Sequence, residues 1–297
     1  MDSLASADER VAGDSPFAQS SAAQSRGPWR IAIYHNLQSG GGKRVVYEAT
    51  RQFVARGHTV DLWFPETADD EFLPTSSLAH RAVRIPLRLP RAEAWPKVPF
   101  RAVAALLRLL RTLDRHGRQV ARLLDAGNYD IVYAHEDRFT AGPAPLRYLQ
   151  TPCAYFCGEP KRGLYGHATP ADRSGTPIWR RAYQVVGQLS HRALLRSFDR
   201  ASTRAARMVL TNSDYTRELI WRAHAVFAHT SYLGADPQRF CPVGRAEESL
   251  VLSVGELVPR KGHDVVIEAV ARIPASRRPR VLVAANGGWE HERNRLR

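Results

Sequence analysis

The sequence predicts an α/β protein built on a Rossmann-like, doubly wound parallel sheet. Three observations carry that expectation. From residue 30 onward, short apolar runs alternate with longer stretches of helical periodicity. A glycine triplet, Gly40–Gly42, separates the first apolar run from the first such stretch, where a fold of this class turns strand into helix. The same strand–helix–strand alternation starts afresh at Leu250, so an incomplete second Rossmann-like unit follows the first.

The elements follow in order. The first strand is RIAIYHN, Arg30 to Asn36, and the loop LQSGGG leads into the helix KRVVYEATRQFVARG. Val45, Val46, Ala49 and Phe53 form its apolar stripe, Arg44, Glu48, Arg51 and Gln52 its polar side, and Gly57 is its C-terminal stop. HTVDLWFP and RAVRIPL are the next strands, and Pro99 to Asp125 is a long helix. YDIVYAH and TPCAYFC are strands, residues 178 to 198 are helical, and ARMVLTN is a further strand. Ser213 is the N-cap of the helix after it, because its hydroxyl can take a free first-turn N–H. AVFAHTSYLG closes the first domain, residues 29–240, and residues 241–249 form a linker. Residues 250–297 then supply strand LVLSVG, helix KGHDVVIEAVARI and strand RPRVLVAAN.

Composition bounds the function. The chain has the apolar content of a globular protein and no uncharged apolar run long enough for a transmembrane helix. Residues 1–28 are Ser/Ala-rich, carry early acids and lack an apolar run, so they read as a disordered tail rather than an export signal. The cytoplasm is the expected compartment. The net charge is +14, and because the tail is slightly acidic the body carries about +16. Such an excess points to an anionic partner, against the plainer reading of an arginine- and alanine-rich composition. Cys153 and Cys157 lie in one strand, too far apart to bridge, and no His-Cys set has zinc spacing. The cysteines read as buried small hydrophobes, and no metal site is expected.

The chemistry-bearing residues begin with Gly41 and Gly42, placed where a helix N-terminus attracts a ligand. Val45 stands where a dinucleotide fingerprint needs its third glycine, and Arg44 follows Lys43 where a Walker loop needs Ser or Thr. The alternative is a flexible turn. After this loop come KRVVYEATRQFVARGHTVDLW, YDIVYAHEDRF, YFCGEPKRGLYG, TNSDYTRELI, LGADPQRFCP and LSVGELVPRKGHDVVIEAVA. In this order they resemble glycosyltransferase family 4, nucleotide-sugar-dependent retaining enzymes of the GT-B fold, from about Arg30 to the last residue.

That resemblance implies two Rossmann-like domains with the donor bound between them, and specific roles. Gly41, Gly42, Gly255 and Lys261 match donor-binding positions, with Lys261 stabilising charge on the departing diphosphate without an obligatory metal. The family often has an arginine directly after the glycine; here Glu256 stands there, which leaves the cationic clamp incomplete. His135 matches the histidine that faces the transferred sugar, and Glu159 is an acceptor-side candidate. No cofactor beyond the donor substrate is implied, and the acceptor is a saccharide or lipid-linked saccharide of cell-surface polysaccharide or glycolipid assembly. The helix after Pro99 carries Arg101, Arg108, Arg111, Arg115, Arg118 and Arg122 among leucines. It reads either as lying on an anionic membrane or as the solvated face of a packed helix. After Leu250 no pair of glutamates with seven residues between them follows, so the second domain is expected to be cut short and poorly ordered. Three rivals stand beside a transferase: a non-catalytic remnant, a nucleotide-sugar epimerase, and a basic nucleic-acid-binding protein. The last lacks any nucleic-acid module, and nucleic acid is not an expected partner.

Overall fold

The structure is a computed structural model and describes residues 27–90, 99–166, 178–238, 240–242, 244, 249–285 and 287–296. Nearly all of the expected tail, residues 1–28, lies outside these, as does half of the expected linker. The chain divides into two compact units, Met1–Gly234 and Ala235–Arg297.

The first unit runs β1 (Arg30–Asn36), α1 (Gly41–Ala55), β2 (Thr59–Pro65), β3 (Arg81–Ile85), α2 (Pro99–Asp125), β4 (Ile131–Asp137) and β5 (Cys153–Phe156). It continues with α3 (Arg162–Tyr165), α4 (Ile178–Ala205), β6 (Met208–Thr211), α5 (Asp214–His224) and β7 (Ala228–Thr230). The seven strands form one sheet of order β3-β2-β1-β4-β5-β6-β7, with every neighbouring pair parallel. The order reverses between β1 and β4, the place where open sheets of this class leave a crevice at the strands' carboxyl ends.

The near-continuous apolar strands reflect burial on both faces. Ile31 and Ile33 pack with Val60, Leu62 and Phe64 under Val46 of α1. The alternate residues Ala32 and Tyr34 pack on the other face with Val132, Ala134 and Tyr155 under Val120 and Leu124 of α2. One buried polar network crosses this second layer: Tyr129 donates its hydroxyl to Asp61 at 2.8 Å and accepts from Trp63 Nε1 at 3.0 Å.

Helix α1 is capped by Gly40, whose φ of +145° suits glycine, and is followed after Arg56 by Gly57, whose φ is +82°. Its burial differs from the expected stripe. Only Val46 of that stripe is fully buried, while Lys43 is fully buried and paired with Asp70 at 3.0 Å. Lys43 reaches inward because Asp70 also accepts the Thr75 N–H and organises the loop after β2. Helix α2 packs inward through part of its leucines. Leu106, Leu110 and Leu113 pack against Leu87, Ala144 and Phe198, and all six of its arginines are exposed. Its apolar stripe therefore faces the core. Ser213 caps α5 as expected, accepting the Thr216 N–H at 3.2 Å. Cys153 and Cys157 are buried thiols, and Cys241 is exposed.

The second unit holds β8 (Leu250–Val254), α6 (His263–Ala271), β9 (Arg280–Ala284) and α7 (Glu290–Arg295), with β8 and β9 parallel. Leu252, Val254 and Leu282 are exposed, at 56%, 72% and 47%. Among the described residues, no helix is long and apolar enough to cross a membrane.

Candidate active site

A cavity of about 310 Å³ opens at the carboxyl ends of β1, β4, β5 and β6. The β1–α1 turn contributes Leu37, Gly41, Gly42 and Val45; β4 contributes His135 and Glu136. The turn after β5 adds Gly158 and Glu159 beside Phe156, and Asn212 and Leu233 complete the lining. Gly41, Gly42, His135 and Glu159, singled out from separate motifs, thus meet in one place. A roomier groove of about 530 Å³ between α2 and α4 holds none of the expected site residues.

Each wall has a local cause. The first N–H groups of α1 have no side-chain cap, because Gly40 has no side chain to offer, so donors remain free at this end of the helix. His135 is 2% exposed, edge-on to Tyr133 and stacked on Phe156 with ring centroids 5.3 Å apart. Burial drives its pKa down to about 3, so the imidazole is neutral at physiological pH. Its Nε2 is buried with no hydrogen-bond partner among the described residues, a costly state.

Glu136, next along β4, accepts the backbone N–H groups of Gly158 and Glu159 on Oε1, at 2.7 and 3.0 Å. Asn212 donates from Nδ2 to the Gly158 carbonyl at 2.9 Å, so the turn is held from two strands. A methyl group at residue 158 would sit 3.4 Å from Glu136 Oε1, and glycine leaves room for the carboxylate. Burial raises the Glu136 pKa, the two N–H donors oppose that, and the acids Glu159 and Asp199 add to it. Glu159 itself is ion-paired with Arg162, the first residue of α3.

Lys261 and Gly255 lie in the second unit. Lys261 ends a 3-10 turn, Pro259–Lys261, and its side chain passes beside Gly255, where a Cβ would meet it at 3.5 Å. Lys261 is exposed; its backbone N–H donates to the Val258 carbonyl at 2.9 Å, and its side chain makes no hydrogen bond or ion pair among the described residues. Glu256, the residue in the place of the family's arginine, is paired with Arg260 at 3.3 Å. His263 is buried, shares a hydrogen bond with the Ser253 hydroxyl at 2.8 Å, and fixes the loop that carries the lysine.

Sequence reasoning did not single out Glu136, Asn212 or the buried His35, whose pKa is lowered by burial, Lys43 and His135. Glu136 had a readable signal, since it follows His135 at the carboxyl end of a strand. Asn212 had none, because only the sheet order brings β6 to the opening, and His35 is fully buried without lining the cavity. No group of three His, Cys, Asp or Glu side chains placed to hold a metal occurs among the described residues.

Residues 39–239 match the profile of Glycosyltransferase Family 4. No curated protein matches the chain. Among solved structures it is similar to UGT89C1 of Arabidopsis thaliana complexed with UDP-L-rhamnose, at 13% identity, with a TM-score of 0.50 over 89% of this chain and 70% of that one. An alpha-glucosyltransferase in complex with UDP and a mismatched DNA aligns at 13% identity over 87% of this chain, with a TM-score of 0.47. SnogD from Streptomyces nogalater aligns at 15% identity over 90% of this chain and 68% of its own, with a TM-score of 0.43. The chain spans 55% of the length of that alpha-glucosyltransferase.

Proposed function

The chain belongs to glycosyltransferase family 4, and from that premise we propose that it takes part in transferring a sugar from a nucleotide-sugar donor to a hydroxyl-bearing acceptor. The observation that carries the reading is the convergence of His135, Gly41, Gly42 and Glu159 on one cavity at the switch point of the sheet. In this reading the neutral His135 meets a hydroxyl of the transferred sugar through Nε2. Lys261, an exposed cation whose side chain has no partner among the described residues, stabilises the charge that grows on the leaving diphosphate. Neither role needs a metal, and Gly255 supports Lys261 by giving its stem a side-chain-free surface to pass over. The acceptor is a saccharide or lipid-linked saccharide of cell-surface polymer or glycolipid synthesis, and the reaction proceeds with retention at the anomeric carbon. We place the protein in the cytoplasm, at the anionic inner face of a membrane.

Calorimetry with UDP-glucose and GDP-mannose, paired with a product-release assay, tests the central claim. Binding of a nucleotide sugar should fall with Lys261→Ala, and transfer should fall with His135→Ala while donor affinity holds. Failure of both donors to bind would overturn the reading and favour a non-catalytic member of the family.

A further inference from the structure

The chain as a whole is strongly basic, yet the lining of its cavity is not. The ionisable groups there are two acids, Glu136 and Glu159, and a histidine buried without charge, with no lysine or arginine among the lining residues. The two acids differ. Glu159 has Arg162 as a counter-ion. Glu136 forms no ion pair among the described residues, and the charges that act on it most are those of other acids. Its oxygens differ as well. Oε1 is saturated by the Gly158 and Glu159 N–H groups. Oε2 makes no hydrogen bond among the described residues, on a side chain that lines the cavity.

We propose that Glu136 selects the acceptor: Oε1 clamps the 158–159 turn while Oε2 accepts a hydrogen bond from a hydroxyl or ammonium group of the bound ligand. The moiety against this wall is then a neutral polyol or an amino sugar, not a phosphate or carboxylate. An anionic group there would meet an unpaired carboxylate in a partly desolvated site, where like charges repel strongly. Gly41 and Gly42, at the uncapped start of α1, supply donors elsewhere on the lining, so acceptor capacity is what the Glu136 wall adds. This inference rests on the proposed reading of the cavity as a sugar-transfer site with Glu159 on its acceptor side, and it reverses what the net charge of the chain suggests about the acceptor. The anionic partner implied by that charge belongs to other surfaces.

The test is a ligand-observed NMR titration of the chain with methyl α-glucoside, glucosamine and glucose 6-phosphate, without donor. Wild type should bind glucosamine and methyl α-glucoside about tenfold more tightly than glucose 6-phosphate. Glu136→Gln keeps an oxygen for the two N–H groups but removes the charge, so it should erase most of that preference. The Gly158 and Glu159 amides should stay protected from exchange in Glu136→Gln and lose protection in Glu136→Ala, which separates the clamp from the selection. Equal or tighter binding of glucose 6-phosphate by wild type, unchanged affinities in Glu136→Gln, or no binding of any probe would each overturn the proposal. Absence of sugar transfer with this binding order intact would instead remove the enzymatic reading and leave the wall's selectivity standing.

Discussion

Burial holds the pKa of His135 near 3, so in the proposed role its ring meets a sugar hydroxyl as a neutral group and not as an acid. NMR titration should show no protonation of this ring between about pH 5 and 8, where an exposed histidine titrates near 6.5. A midpoint close to 6.5 would return it to the role of general acid or base. Below pH 6.5 the unfolded chain binds a proton here that the folded chain refuses, so this residue weakens the fold as pH falls toward 3. Asp199 works in the other direction. It is 1% exposed, accepts the Gly142 N–H at 2.7 Å and the Tyr165 hydroxyl at 2.8 Å, and burial raises its pKa to about 6. The folded state therefore holds its proton more tightly than the unfolded state, and stability from this group falls as pH rises from about 4 to about 6. At two pKa units the effect is about 3 kcal/mol at most. Thermal unfolding of Asp199→Asn should lose that slope relative to wild type across this window; parallel curves would show that folding leaves the pKa of this carboxyl unshifted. Of these residues His135 was legible in the sequence, through its motif at a strand end. Asp199 was not, because its partners lie 57 and 34 positions away.

At the scale of elements, packing decides between readings that periodicity leaves open. Gly117 sits in the middle of α2, where alanine ordinarily favours a helix by about 1 kcal/mol. Here a Cβ would lie 2.6 Å from the Ala144 Cβ and 2.8 Å from its carbonyl carbon, so the helix meets the 3-10 turn Ala144–Arg147 backbone to backbone. Gly117→Ala should destabilise the protein by about 1–3 kcal/mol, read as a lower denaturant midpoint. A raised midpoint would mean that the turn yields. The same helix bears on the membrane. With Leu106, Leu110 and Leu113 engaged in the core and six arginines outward, α2 has no apolar stripe to insert. Binding to anionic vesicles should be electrostatic, strong at low salt and mostly abolished at about 0.5 M salt, where the screening length is only a few ångströms. Co-sedimentation with neutral and anionic lipid measures it, and equal recovery on both would remove the membrane from the account.

At the scale of the molecule, the two units differ in how well each buries its own surface. The first covers both faces of a seven-stranded sheet, with β1 and β2 almost wholly inaccessible. The second has two strands and leaves Leu252, Val254 and Leu282 exposed together with Val265 and Trp289. Apolar surface left in water contributes nothing against the conformational entropy of ordering the chain, which costs roughly 1.5 kcal/mol per residue. Amide exchange should therefore be slow through β1, β2 and β4 and faster by orders of magnitude in β8 and β9. Comparable protection in both units would show that the second is stabilised by something beyond its own core.

The sequence by itself determined the fold class, the family and the identity of most strands, because those depend on local apolar period, turn glycines and motif order. It also marked Gly41, Gly42, His135 and Glu159, each carried by a motif at the end of an element. Only the tertiary structure decided that these four share one cavity, since the strand order brings the ends of β1, β4, β5 and β6 together from positions more than a hundred residues apart. It alone decided that Lys43 is buried against Asp70, that Leu106, Leu110, Leu113 and Leu124 of α2 face inward, and that Glu136 holds the turn bearing Glu159. Each of these is a pairing across distant segments. Local periodicity records how a residue sits on its own helix or strand, but not which carboxylate, backbone turn or helix the fold will set against it.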